Sequence, residues 1–382
     1  MKKLLFPLPI DITDKSYASG SFYNIFKGLK KNFEIIPIGP LKLKRSNFQR
    51  GINKLFDLRL SPGRFSPMHT WKTINGYAEQ LQVEADKVTY DAIFSTNTLL
   101  AAGLITTKPV FCYTDFSFSN ALNYYPFASH LFPNSQIEAL AVDSFCFHKH
   151  TITFLASEWA RQETIKAYNL PVNKIVAIAR GANLTSDFNH ESITRAINAR
   201  LASPIKKLLF VGIDWERKGG HIAFSITKIL YEQGFNVRLQ IVGCKPPAVV
   251  ANSPFVEVFP FLNRNNENEL TILKQLFESA FVFILPTKAE AMGIVFAEAA
   301  SFGLPSIAYQ TGGVGAAIDD TVTGLLFNFD DPIKKMAINI SGLINKEDKY
   351  FKMSLDAFTK YKSELNWDVI ALKIKNIIDP LL

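Results

Sequence analysis

Short apolar runs recur along the chain, separated by longer stretches whose apolar positions fall at helical spacing. In the first half, Leu4–Ile10, Glu34–Ile38, Ala92–Ser95, Val110–Tyr113, Thr151–Ala156 and Ile175–Ile178 read as strands. Amphipathic segments such as Ser21–Lys31 and Ser157–Tyr168 lie between them. The second half repeats the theme with strands at Lys207–Val211, Val237–Val242, Val256–Phe259, Ala280–Leu285 and Ser306–Tyr309. Helices are predicted there over His221–Gln233, Glu267–Glu278 and Ile294–Phe302. This alternation predicts parallel sheets with helices on both faces. The runs Leu208–Val211 and Phe281–Leu285 are apolar throughout, as strands buried on both faces should be. A chain of 382 residues exceeds what one core usually serves. Two α/β domains follow, over 1–190 and 204–364, meeting in the polar stretch Asn183–Pro204.

Composition adds exclusions. With 48% apolar and 20% charged residues the chain is neither disordered nor of low complexity. No window approaches the roughly 20 uninterrupted apolar residues of a membrane span. The opening Met1–Pro9 holds two prolines and no small-residue cleavage site, so it reads as a first strand rather than a secretory leader. Cys112, Cys146 and Cys244 are widely spaced and form no C-x-x-C pair. Neither a disulfide framework nor a zinc site is expected, and a cytoplasmic location is.

Charge is distributed unevenly. The net charge is +8, yet eleven basic residues between Lys27 and Lys72 face only Glu34 and Asp57. Phe48, Ile52, Leu55, Phe56, Leu58, Leu60, Phe65 and Trp71 are interleaved with them. Two readings are open: a solvated loop region, or a surface for an anionic bilayer, where each Lys or Arg contributes about 1 kcal/mol. No recognised motif supports nucleic acid as a partner.

Ligands in parallel sheets bind beyond the carboxyl ends of the strands, so chemistry is sought there. The chain has no G-x-S-x-G, H-E-x-x-H or Walker A sequence. His148-x-His150 is insufficient for a metal, no D-x-D pair occurs, and Gly313-x-Gly315 lacks the third glycine of a dinucleotide fingerprint. The strongest constellation is Pro286–Ala299, a loop after a buried strand leading into a helix near Gly293 or Ile294. Glycine permits close backbone approach, and the first helical N–H groups attract an anion. Glu290 in the loop and Glu298 one turn into the helix suit sugar hydroxyls, which donate hydrogen bonds. Read singly, they are an ordinary loop charge and a helix-face charge. The second feature is Phe210–Gly220, where Arg217 and Lys218 precede two glycines and a helix. Such cations could hold a diphosphate, or form an exposed basic turn.

Together these blocks resemble the retaining glycosyltransferases of family 4 (glycosyl transferases group 1), from about Lys207 to Phe327. Glu290-x7-Glu298 is similar to the family's E-x7-E motif, and Lys218-Gly219 to its phosphate-binding lysine and glycine. Tyr309–Gly313 and Thr323–Phe327 resemble its closing strand and G-G … G-L-L turns. The N-terminal likeness is weaker: Ser16–Ser21 resembles the glycine-bearing loop near the donor phosphates, Tyr113–Phe118 a segment with an active-site polar residue, and Ala156–Ala160 and Arg180–Asn183 the end of the acceptor domain. Two positions depart from the pattern. Ile213 stands where an arginine often follows the glycine aligned with Gly212, and Val314-Gly315-Ala316 stands where a glutamate often follows the Gly-Gly pair. Arg217 could replace the missing arginine.

The resemblance implies the GT-B fold, two Rossmann-like doubly wound parallel-sheet domains facing a cleft. The first would bind acceptor, the second the nucleotide sugar, and a C-terminal helix over 365–382 would cross back. It implies a retaining, metal-independent transfer from a nucleotide diphosphate sugar to a hydroxyl acceptor, without cofactor. Lys218 and Arg217 would hold the diphosphate, Glu290 would face the donor sugar and Glu298 the ribose. Gly20, Gly212, Met292, Gly293, Ile294 and Val295 would complete the donor site. Asp115 is the catalytic candidate of the first domain, its alternative being an N-cap or turn aspartate. The acceptor would be a saccharide or lipid-linked glycan of cell-surface polysaccharide synthesis, met at the inner membrane face through the 27–72 stretch. A nucleotide-sugar epimerase and a non-catalytic sugar-nucleotide-binding module are the competing readings.

Overall fold

The computed structural model describes residues 1–12, 20–43, 47–122 and 124–382. It divides into two compact units, Met1–Ile178 with Ile370–Leu382, and Ala179–Val369.

The first unit runs β1 (Lys3–Pro7), α1 (Ser21–Lys30), β2 (Glu34–Ile38), α2 (Asn47–Asp57), α3 (Trp71–Ala85), β3 (Ala92–Ser95), β4 (Val110–Thr114), α4 (Phe118–Ala121), α5 (Pro126–Ser129), α6 (Pro133–Lys149), β5 (Ile152–Leu155), α7 (Glu158–Tyr168) and β6 (Ile175–Ala177). Its strands form one parallel sheet in the order β2-β1-β3-β4-β5-β6. On one face, Ile74, Tyr77, Leu81 and Ala85 of α3 join Val142 and Cys146 of α6 over Leu5 and Ile93. Helix α2 differs in kind, since none of its residues is buried.

The second unit runs α8 (His190–Ala202), β7 (Lys206–Val211), α9 (Gly220–Glu232), β8 (Val237–Val242), α10 (Ala248–Ala251), β9 (Val256–Phe259), α11 (Glu267–Ser279), β10 (Val282–Ile284), α12 (Ile294–Ser301), β11 (Ser306–Tyr309), β12 (Gly324–Phe327), α13 (Ile333–Ile344), α14 (Glu347–Ser363) and the start of α15 (Trp367–Ile378). Its parallel sheet has the order β12-β11-β10-β7-β8-β9. The pairing Leu208↔Val282 and Leu209↔Phe283 makes β7 and β10 neighbours. Loops leaving their carboxyl ends therefore emerge side by side, although about 70 residues separate them.

The junction expected over 183–204 lies inside the second unit. Its polar residues are the solvent face of α8, which buries Ile193, Ala196, Ile197 and Arg200. Arg200 donates to the carbonyls of Glu278, Phe302 and Gly303, so a cation there serves as a tie between α8 and neighbouring helix ends. Upstream, Ala182 N–H donates to Leu365 O at 2.9 Å and Trp367 Nε1 to Asn183 Oδ1 at 3.0 Å. The division falls after Ile178 accordingly. Helix α15 starts in the second unit and its residues from Ile370 group with the first. Among the described residues no helix is long and apolar enough to cross a membrane.

Candidate active site

The site of the second unit is built on two glycines that let its loops touch. Gly219, the N-cap of α9, has φ 76°, and a Cβ there would sit 2.0 Å from Pro286 O. A Cβ on Gly220 would lie 2.1 Å from the ring of Trp215. Any larger residue at either position would push the loop after β7 away from the loop after β10. Lys288 N–H donates to Arg217 O at 2.9 Å, fastening the two. The buried Thr287 hydroxyl lies 3.1 Å from Ala289 O and 3.3 Å from Arg217 O. A third loop closes over them: Gly313 N–H donates to Glu290 O at 3.0 Å and Thr311 Oγ1 to Lys288 O at 3.3 Å.

This frame brings together Arg217, Lys218 and Glu290. Lys218 Nζ donates to Glu290 Oε2, with both side chains about one-seventh exposed (14% and 13%). Arg217 Nη1 lies 3.9 Å from the same oxygen and donates to Ala289 O at 2.9 Å. Its Nε reaches Asp214 Oδ2 at 3.3 Å. Two cations thus meet the Glu290 carboxylate at the mouth of the sheet, with Asp214 as a second carboxylate on Arg217. An anion that displaced these carboxylates would meet a planar fork in Arg217 and a point charge in Lys218. Gly212 lies under Lys218, its hypothetical Cβ 3.2 Å from Lys218 Cγ. Ile213 is 74% exposed and lines a 680 Å³ crevice with Asp214, Trp215 and Cys244. Arg217, at the far end of the same loop, is tethered to Ala289 O and Asp214.

Helix α12 opens at Gly293, where a φ of 81° and the Phe296 ring, 2.6 Å from where a Cβ would sit, exclude a side chain. The amides of Ile294 and Val295 belong to its first turn, where intrahelical acceptors are lacking. Met292 is buried, and its sulfur accepts the Arg180 N–H at 3.1 Å, so only its backbone can meet a ligand. Glu298 is also buried, with 1% of its side chain exposed. Arg264, from the turn after β9, grips it through two hydrogen bonds of 2.5 and 2.8 Å. Leu184 N–H adds a third at 3.2 Å. Burial works against the Arg264 charge, but the attraction and hydrogen bonds of Glu298 raise its pKa overall. The carboxylate expected at the ribose is thus committed to protein partners.

The remaining candidates belong to the first unit. Asp115 follows β4, half-buried, with its carbonyl accepting Ala156 N–H at 3.3 Å. The helix cap in this segment is Ser117, which caps α4. Gly20 caps α1 with φ 93°, while Ser16–Ser19 lie outside the described residues. Sequence reasoning missed Thr287, Thr311 and Arg264. Thr287 and Thr311 stand inside the blocks Pro286–Ala299 and Tyr309–Gly313 without being singled out there; Arg264 sits in the Asn-rich turn Asn263–Asn266, and only the fold reveals its partner.

Comparison with known proteins follows the same division. Residues 205–346 match the family model described as glycosyl transferases group 1. A D-inositol 3-phosphate glycosyltransferase of Corynebacterium aurimucosum is 24% identical over 232 residues, covering 56% of this chain and 53% of its own length. The namesake from Streptomyces scabiei is 26% identical over 186 residues, covering 44% and 41%. The chain spans about half the length of the curated relatives it matches. Among solved structures, a sucrose-phosphate synthase from Thermosynechococcus elongatus superposes with TM-score 0.70 at 14% identity, covering 100% of this chain and 99% of that one. HepE of Anabaena, solved in complex with UDP-glucose, gives 0.65 at 15% identity with both chains covered completely. The fold is GT-B.

Proposed function

We infer that this chain, residues 205–346 of which belong to glycosyl transferases group 1, moves a sugar from a nucleotide diphosphate sugar to a hydroxyl acceptor with retention at the anomeric carbon. One observation carries the reading: Arg217, Lys218 and Glu290 meet at the carboxyl ends of β7 and β10, beside a glycine-led helix start. In the absence of donor the two cations neutralise Glu290. An arriving diphosphate competes for them and releases the carboxylate to accept a hydrogen bond from a sugar hydroxyl. As the glycosidic bond breaks, negative charge gathers on the leaving diphosphate. Arg217, Lys218 and the first amides of α12 stabilise it, a preorganised contribution of several kcal/mol that asks for no metal. The leaving phosphate takes the proton of the acceptor hydroxyl on the same face. Asp115 orients acceptor or sugar. A uridine nucleotide is the first donor to try, since HepE was solved with UDP-glucose.

The acceptor is a saccharide or lipid-linked glycan of polysaccharide synthesis, and the basic 27–72 stretch holds the protein at the inner membrane face. Turnover of UDP-, GDP- and ADP-sugars in the presence of chelator tests the donor chemistry. Lys218→Ala and Glu290→Gln should each lower it at least about tenfold, or 1.4 kcal/mol of barrier. Near-wild-type rates in both variants would overturn the assignment.

A further inference from the structure

We propose that the first unit carries a phosphoryl-binding site in the concavity between α2 and the start of α3. It encloses about 700 Å³. Arg50 and Lys54 from α2, Arg64 from the following loop and Lys72 from the first turn of α3 line it, against Asp57 as the one acid among the described residues that line it. Among the described residues none of these four cations forms an ion pair. Clustered like charges in a concave, partly apolar wall repel one another and focus their field outward. An anion of at least two charges relieves that repulsion.

Arg64 is the most constrained member. Its N–H donates to His130 O at 3.0 Å and its carbonyl accepts Phe132 N–H at 2.9 Å. The guanidinium lies 5.9 Å from the Phe56 ring, and its Nε is buried without a hydrogen-bond partner. A buried donor left unsatisfied costs about 1–3 kcal/mol. Asn53 fixes the adjoining residue, accepting from Phe65 N–H at 2.7 Å and donating to Phe65 O at 3.0 Å. The first turn of the 15-residue α3 is already served by protein, Thr70 Oγ1 accepting Thr73 N–H and Glu138 Oε1 accepting Trp71 N–H, both at 3.2 Å, so the side chains carry the site. Two Arg forks and two lysines together suit a phosphomonoester or diphosphate better than a carboxylate. Pockets of roughly 300–1,000 Å³ take small molecules, so there is room for whatever the phosphoryl group is attached to. The source is a soluble sugar phosphate or a lipid headgroup. Phe48, Leu58 and Leu60 of the same stretch are 70%, 59% and 72% exposed and would enter a bilayer in the second case.

This inference does not rest on the donor reading, and its test is kept apart from it. Inorganic pyrophosphate is titrated calorimetrically into the full chain carrying Arg217→Ala and Lys218→Ala, so that the second unit contributes no binding. Flotation with phosphatidylcholine vesicles containing phosphatidic acid, or phosphatidylserine at matched charge, forms the other arm. Arg50→Glu/Lys54→Glu reverses two exposed charges on a helix that buries nothing, so folding is spared. Binding of pyrophosphate weakened at least about tenfold by that reversal supports a soluble source. Preference for phosphatidic acid over phosphatidylserine, lost in the same variant, supports a lipid one. Absence of both, equal binding to the two lipids without pyrophosphate binding, or indifference to the charge reversal would overturn the site.

Discussion

The Arg264–Glu298 pair makes a sharp energetic prediction because its partners are unequally buried. Glu298 is 1% exposed and Arg264 33%. Removing one member of a fully buried pair costs about 3–5 kcal/mol, because a charge is left without water or partner. In Arg264→Met the stranded charge is the Glu298 carboxylate, with Leu184 N–H as its remaining donor in the structure. Water reaching through the space vacated by a one-third-exposed arginine softens this, so a loss of about 2–3 kcal/mol is expected. In Glu298→Gln the stranded charge is the guanidinium, which already meets solvent, and about 1 kcal/mol is expected. In Arg264→Met/Glu298→Leu no charge is stranded, so the double variant should be more stable than Arg264→Met alone. The chain has four tryptophans, and Trp71→Phe/Trp159→Phe leaves Trp215 and Trp367 to report on the second unit during urea unfolding. An Arg264→Met midpoint within error of the parent, or a double variant no better than that single one, would refute the reasoning.

Two further perturbations test the frame and the first unit. Gly219→Ala places a methyl 2.0 Å from Pro286 O at φ 76°, and should cost at least about 2 kcal/mol with a tenfold or greater loss of nucleotide affinity; wild-type thermal midpoint and affinity would show that the loops do not need this contact. His150 is buried between Thr98 O at 3.2 Å and Thr153 Oγ1 at 3.0 Å. Burial lowers its pKa to about 4, with Thr98 opposing and Lys174 assisting. The unfolded chain therefore takes up a proton that the folded one refuses. Stability is full above about pH 6.5 and declines as pH falls toward 4, by a total on the order of 3 kcal/mol. Buried His69 acts in the same sense and Asp143, raised by burial, in the opposite one. His150→Gln should flatten the slope between about pH 7 and pH 5 in urea-midpoint measurements; an unchanged slope would remove His150 from the account.

What the sequence determined by itself was the alternation of strands and helices and the places where chemistry could stand. Both follow from local rules. A strand buried on both faces must be apolar along its length, and a tight turn into a helix favours glycine, so Phe281–Leu285 and the turn at Gly293 were legible. Helix α6 was not assigned, because its buried stripe contains Ser135 and Asp143, polar residues that spoil the apolar period. Asp143 is acceptable there because Phe118 N–H, Tyr168 Oη and Thr98 Oγ1 donate to it at 2.6, 2.8 and 3.3 Å. Helix α8 read as a polar junction for a related reason, its arginine being satisfied by three distant carbonyls. Only tertiary structure paired Lys218 with Glu290 and gave Glu298 to Arg264. A hydrogen bond between residues far apart in the chain depends on strand order and register, and those are set by how whole sheets pack, which no local pattern of side chains records.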